Sequence, residues 1–403
     1  MSTSYQIPLL KDHHTHPSIS AAFSGAIKLR HVAEKEQALS LIRSSREDMT
    51  VAIGWNTSYY QFSDEDLESF PPVVICNTSL HGFLINAAAR KILQPKYPDI
   101  IANIDDAEWT EANIYTILKF LTNLSPYDTA LLKKFYDEEL LPLGVWYAED
   151  MLLPNRELID QFAEIGYSDR TRLWADEDVL RSLPKEDLNR IDGIKLFTDG
   201  ALGARTAAIS VPFLSGETGI LILTDEELKE KLTQLRSFNL PFAIHAIGDL
   251  ATSQIVNTLH LLRQEYPDFP TIRIEHCQFI SKETAVLAKS LGIGLSMQPN
   301  FSSDSDNYTD RLPLEFCKTN NPFRMLIDEV GFVPGKDLFF GSDGMPHGAQ
   351  YALQQSLFPL YDEQRLTIGE FIDGYCMPDM THGSIQVDVD EHKQTVNVVV
   401  SAS

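Results

Sequence analysis

The stretch Phe242-Ala243-Ile244-His245-Ala246-Ile247-Gly248-Asp249 decides the fold. It reads as a short strand closed by Gly-Asp, and the amphipathic pattern from Leu250 to Glu265 behind it reads as a helix. A second strand, Ile272 to Gln278, a helix at Ser281 to Leu291 and a third strand, Gly292 to Gln298, continue the alternation. Strand, helix, strand in this rhythm predicts successive βα units on a parallel sheet. Working outward, further runs of the same kind lie at Gly144 to Asp150, Thr171 to Asp176, Gly193 to Asp199 and Leu338 to Asp343. Thr224 and Glu227 make a capping box ahead of Leu228, Leu232 and Leu235, which share one helical face. With an eighth strand at Pro8 to His16, the count predicts an α/β chain folded as a (β/α)8 TIM-like barrel.

The stretch after the first strand is too long for a connection. Roughly a hundred residues separate His16 from the helical pattern at Thr129 to Leu140, whereas an ordinary connection takes about 2 to 6. That stretch carries strand-like runs at Val51 to Trp55 and Val73 to Asn77, with helical patterns at Phe83 to Leu93 and Ala107 to Leu121. The division expected is a barrel of residues 1–17 and 126–375, an inserted lid subdomain at 18–125, and a C-terminal tail at 376–403. Helical patterns at Ala349 to Leu357 and Ile368 to Tyr375 close the barrel part. In the tail, Ser384 to Asp390 and Thr395 to Ser401 alternate as a hairpin would.

Composition narrows the partners. The chain has 403 residues, 43% of them hydrophobic, and a formal net charge of −24, which suits an ordered core and repels phosphate-rich surfaces. Nucleic acid and membrane are therefore not expected as partners, and apolar runs such as Val396 to Val400 fall far short of the roughly 20 residues of a spanning helix. The expectation is a cytoplasmic protein acting on a small molecule, with a homodimer left open. Cys76, Cys277, Cys317 and Cys376 form no CxxC pair and read as reduced core residues.

The reactive residue types gather where the expected strands end. The first strand closes in Asp12-His13-His14-Thr15-His16, and residues i and i+2 of a strand face the same way, so His14 and His16 can address one metal ion. Lys195 lies inside the apolar run Gly193-Ile194-Lys195-Leu196-Phe197, where an amine is costly unless neutralised, paired or used. His245 and His276 end two neighbouring strands, and Asp343 ends the last. Six such residues at five strand ends of one barrel point to a metal-dependent active site.

This pattern resembles the amidohydrolase superfamily of metal-dependent hydrolases. More narrowly it resembles the YtcJ-like, amidohydrolase-3 branch that includes N-substituted formamide deformylases. The matching segments run from Gly193 to Ala208 (GIKLFTDGALGARTAA), then His245-Ala246-Ile247-Gly248-Asp249, Arg273-Ile274-Glu275-His276-Cys277-Gln278 and Gly341-Ser342-Asp343. The resemblance implies that His14 and His16 hold a buried ion, that His245 and His276 hold a more exposed one, and that Lys195 bridges both as a carbamate. Asp343 would complete the first site and move the proton. It implies two divalent ions, zinc foremost, with iron, manganese or nickel as alternatives. It also implies a β-sandwich built from both chain ends, which would be reduced or absent here because only eleven residues precede Asp12.

The activity expected is hydrolysis of a non-peptide C–N bond in a small amide, formamide or cyclic amide by metal-activated hydroxide. The rivals are a mononuclear deaminase of the same superfamily and a non-catalytic binding or regulatory protein on a hydrolase scaffold. Arg205, His81 and His347 are the candidates for substrate contact, and Asp150 and Asp249 for supporting hydrogen bonds.

Overall fold

The computed structural model describes residues 2–57, 59–77, 82–106, 109–110, 113–124 and 128–402. The chain forms two compact units, Met1–Pro17 with Lys134–Ser403, and Ser18–Lys133. In chain order the strands are β1 (Ser2–Pro8), β2 (Leu10–Thr15), β3 (Ile27–Lys28), β4 (Thr50–Trp55), β5 (Val73–Asn77), β6 (Phe83–Ile85), β7 (Val145–Asp150), β8 (Thr171–Ala175), β9 (Gly193–Phe197), β10 (Phe242–Ala246), β11 (Ile272–His276), β12 (Gly294–Met297), β13 (Leu338–Phe340), β14 (Gly383–Asp390) and β15 (Thr395–Ala402).

Eight of them form the parallel sheet of the larger unit, in the order β13-β12-β11-β10-β9-β8-β7-β2. The chain order of neighbours is what a (β/α)8 barrel requires, and the expected fold class is the one observed. Its two ends meet just past β13, where Asp343 N donates to the His14 carbonyl at 2.7 Å. Only glycine fits beside that junction, because a Cβ on Gly341 would lie 2.4 Å from His14 N. All of β10 is buried, as its apolar sequence dictates, and the helix behind it covers Asp249–Glu265. The capping box of Thr224 and Glu227 is present, and Ser281 caps the helix that follows β11.

Strands β11 and β13 end two or three residues before the sequence runs do. The backbone turns left-handed at His276 (φ 71°), Cys277 (φ 51°) and Asp343 (φ 54°), which breaks the extended path and re-aims the side chains at the barrel mouth. The C-terminal hairpin is β14 with β15. The few residues before Asp12, expected to supply no sandwich strand, instead supply β1, which pairs antiparallel with β14 and packs Ile7 beside Ile385 and Val387. The sandwich is thus reduced to three strands, β1-β14-β15. The outer edge of β15 is capped from the helix Ala349–Leu357: Gln350 and Gln354 exchange hydrogen bonds with the backbone of Gln394, Val396 and Val398 at 2.6 to 3.1 Å. Side chains that occupy edge donors and acceptors oppose further strand addition.

The smaller unit has its own sheet, ordered β3-β4-β5-β6, over a core that includes Leu29, Ile42, Trp55, Phe70 and Ile75. The helix expected from Phe83 starts later. Phe83–Ile85 pairs antiparallel with β5, and Asn86, whose Oδ1 accepts from Ala89 N at 2.9 Å and Val73 N at 3.2 Å, switches the chain from strand to helix. All four cysteines are buried and free.

Candidate active site

Strands β2, β9, β10, β11 and β13, or the residues just past them, carry the six residues singled out in the sequence: Lys195 sits in the middle of β9, and His16 and Asp343 follow β2 and β13. One ligand atom each from His14, His16 and Asp343 lies within 4.8 Å of the others. Asp343 Oδ1 is 3.2 Å from His16 Nε2 and 3.6 Å from His14 Nε2. The pleat alone does not bring them there. Between Asp12 and Thr15, β2 slips register against β7, a bulge of the kind that redirects side chains at barrel rims. The imidazole of His276 lies 4.5 Å, centroid to centroid, from those of both His14 and His245. On adjacent strands, His245 is level with Glu275, and Ala246 with His276.

Each of three histidines is held through one ring nitrogen. His14 Nδ1 is 2.6 Å from Glu275 Oε2, His276 Nδ1 is 2.8 Å from Gln298 Oε1, and His245 Nε2 is 3.0 Å from the Gly200 carbonyl. A carboxylate or carbonyl partner puts the ring proton on the bonded nitrogen, the arrangement metal-ligating histidines show. The buried Nε2 of His14 has no hydrogen-bond partner. Burial, then the electrostatic influence of Lys195 and the neighbouring imidazoles, holds His14 well below its ordinary pKa. Burial and His245 do the same to His276. Both rings are therefore neutral, as a ligand must be.

Lys195 is the least ordinary residue of the barrel. Its side chain is 1% exposed and its Nζ has no hydrogen-bond partner. Burial lowers its pKa to about 8 against the opposing pull of Glu275 and Asp343. Such an amine spends an appreciable fraction of its time neutral at mild alkaline pH. For Asp343, burial raises the carboxyl pKa, but the hydrogen bond from His16 and the electrostatic influence of the neighbouring imidazoles and Lys195 outweigh it and keep the group below the usual carboxylate range. An ionised Asp343, two neutral histidines, of which His14 leaves Nε2 without a hydrogen bond, and a buried amine without a hydrogen-bond partner are a donor set that fits divalent cations.

Around these residues lies a layer the sequence reading did not assign. Asp12 accepts from Ser342 N at 2.9 Å, Ser342 Oγ at 2.5 Å and His14 N at 3.2 Å, locking the end of β13 to β2. Glu149 accepts from Trp174 Nε1 at 2.9 Å and lies 2.8 Å from His13 Nδ1. Asp199 accepts from Ile247 N, Gly248 N and Ala208 N at 2.8 to 3.0 Å, fixing the loop after His245. Asp249 does not support a histidine; it accepts from Ser210 N at 2.8 Å.

Among the described substrate-contact candidates, His347 lies beside the cluster. Its Nε2 is 2.6 Å from Thr15 Oγ1, between His14 and His16, and burial lowers its pKa to about 4, so it is neutral. Arg205 is 44% exposed on the loop after β9, with Nη1 3.8 Å from Glu217 Oε2. His81 lies outside the described residues.

The model of the amidohydrolase family, Amidohydro_3, matches residues 112–342, more than half of the chain. Among curated proteins, the chain is similar to the amidohydrolase-named YtcJ of Bacillus subtilis (strain 168), with 26% identity over 348 residues, 77% of this chain and 64% of that protein. It is also similar to LONG AFTER FAR-RED 3 of Arabidopsis thaliana, at 29% over 129 residues, 31% of this chain and 22% of that one. The chain thus spans less than two thirds of the length of these relatives. Among solved structures, a metal-dependent hydrolase from Pyrococcus horikoshii OT3 aligns with TM-score 0.70 at 23% identity, covering 88% of this chain and 74% of that one. A metal-dependent hydrolase from Pyrococcus furiosus aligns with TM-score 0.70 at 20% identity, covering 92% and 80%. At such identities the two structures speak to the fold. With the family match covering most of the barrel, the chain belongs to the amidohydrolase family.

Proposed function

We propose that the chain hydrolyses a non-peptide C–N bond in a small amide, formamide or cyclic amide, using two divalent metal ions, zinc foremost. The observation that carries this reading is the cluster of His14, His16 and Asp343 beside a buried Lys195 whose Nζ has no hydrogen-bond partner, in an amidohydrolase-family barrel. His14, His16 and Asp343 would hold one ion and His245 and His276 the other, with Lys195 joining them as its carbamate. Ions so placed supply Lewis acidity to a carbonyl oxygen and lower the proton affinity of water, to a pKa of about 7 in favourable zinc sites.

The chain's own residues do the rest. Asp343, ionised and within reach of both His16 and His14, takes a proton from the attacking water and returns it to the leaving nitrogen. Glu275 and Gln298 hold the rings of His14 and His276 against rotation. His347, neutral and fixed on Thr15, offers a polar contact at the same rim. A panel of N-formyl, N-acyl and cyclic amides, read by amine release, tests the reading. Turnover of at least one member, lost on chelation and restored by zinc or manganese, is expected; release of ammonia from aminopurines or aminopyrimidines alone would favour a deaminase.

A further inference from the structure

One guanidinium in the barrel interior ties three strands to a single metal-binding histidine. Arg273 lies on β11 two residues before Glu275, and its side chain is 11% exposed. Its Nε donates to Glu275 Oε1 at 2.6 Å, its Nη1 is 3.0 Å from Glu149 Oε2, and its Nη2 donates to the His13 carbonyl at 3.0 Å. Nη2 also lies 3.4 Å from Met151 Sδ. The far oxygen of each carboxylate continues the chain: Glu149 Oε1 to the ring of His13 at 2.8 Å, and Glu275 Oε2 to the ring of His14 at 2.6 Å. Two consecutive residues of β2 are thus held from β7 and β11 through one planar fork.

We propose that Arg273 is the positioning residue of the metal site. Its fork fixes Glu275 and the His13–His14 segment relative to each other, and so aims His14 Nε2 at the point shared with His16 and Asp343. A simple structural ion pair would need one carboxylate. Here the donors of the fork are spread over acceptors on three different strands, which only a planar, multiply donating group can satisfy. The need arises from β2 itself. Its bulge between Asp12 and Thr15 removes the regular pleat that would otherwise set the direction of His14, so the direction comes from side chains. The inference rests on the reading of His14 as a metal ligand.

The test uses the purified full chain, zinc alone as probe, and competition with a chromophoric chelator at a temperature where circular dichroism shows every variant folded. Arg273→Lys keeps the charge and loses the fork; it should weaken zinc binding about 10- to 100-fold, the usual cost of removing a group that orients a ligand. Glu149→Gln, which leaves Glu275 and His14 intact, should weaken it in the same direction and by less. In the metal-free protein, imidazole ¹⁵N shifts should place the His14 proton on Nδ1 in the wild type and show mixed tautomers in Arg273→Lys. Wild-type affinity and tautomer in a folded Arg273→Lys would overturn the proposal, and should that variant not fold, unchanged affinity in Glu149→Gln would do the same. A wild type that binds no zinc would instead remove the ligand reading beneath it, an outcome distinguishable from the first.

Discussion

Lys195 should be a liability to the metal-free fold. Replacing it by methionine, which is unbranched and of similar length, removes a buried charge while keeping the space filled. The drop from 10.5 to about 8 sets the size of the effect. At about 1.4 kcal/mol per tenfold change in proton affinity, it corresponds to a penalty of about 3 kcal/mol on the folded state. The sign follows from the direction. A lysine whose folded pKa lies below its unfolded one destabilises fully below pH 8, and the penalty fades as pH rises through 8 towards 10.5. The larger unit has roughly 290 residues, and an unfolding entropy of about 2.1 cal/mol/K per residue makes the gain about 5 °C in melting temperature. Scanning calorimetry of wild type and Lys195→Met with a chelator present, at pH 7 and pH 10, measures it. The variant should melt higher at pH 7, with the gap narrowed at pH 10. A variant no more stable at pH 7, or a gap independent of pH, would refute the reasoning.

Four further outcomes are expected. Asp343→Asn keeps the shape of the side chain but cannot take a proton, so kcat should fall by about 10² to 10⁴ while metal content, read by elemental analysis, changes far less. Lys195→Ala should lose metal and turnover together, and added formate should restore part of both if a carbamate is what bridges the ions. Gly341→Ala would place a Cβ 2.4 Å from His14 N and 2.8 Å from His14 Cβ, and should cost about 3 kcal/mol or more by urea denaturation. Burial raises Asp304 to a pKa of about 6 against its hydrogen bonds from Gln278 and Asn307. The contribution of Asp304 to stability should therefore rise as pH falls from about 6 to 4, against the opposite change from the buried neutral histidines. Asp304→Asn should remove that rise and be the more stable of the two above pH 6, as chemical denaturation across the range would show.

The barrel was legible because its strands are short, apolar and regularly spaced, and because chemistry-bearing residues stood at their ends. Phe242 to Ala246 is buried along its whole length, as its composition requires. Strand ends were less legible: Cys277 and Asp343 adopt positive φ for tertiary reasons that no local propensity carries. The helical pattern at Phe83 starts too early because the antiparallel pairing that makes Phe83–Ile85 a strand is set by Val74, Ile75 and Cys76 of β5, outside the local window. β1 was missed since its partner, β14, lies at the other end of the chain. Within the site, the histidines, Lys195 and Asp343 could be found from type and position. Arg273, Glu275 and Glu149 could not be assigned partners, although two charged residues at alternate positions of the run Ile272-Arg273-Ile274-Glu275-His276 were a signal of an inward-facing polar pair. Arg205 matched a motif, and the structure gives it Glu217 as partner.

Elemental analysis of the full chain purified without added metal tests the account most directly. The clustering of His14, His16 and Asp343, with His245, His276 and Lys195 beside them, calls for two divalent ions per chain, released on chelation together with activity. One ion per chain would favour a mononuclear site with Lys195 unmodified. A chain that holds no metal, even after exposure to excess zinc, manganese or iron, would contradict the account.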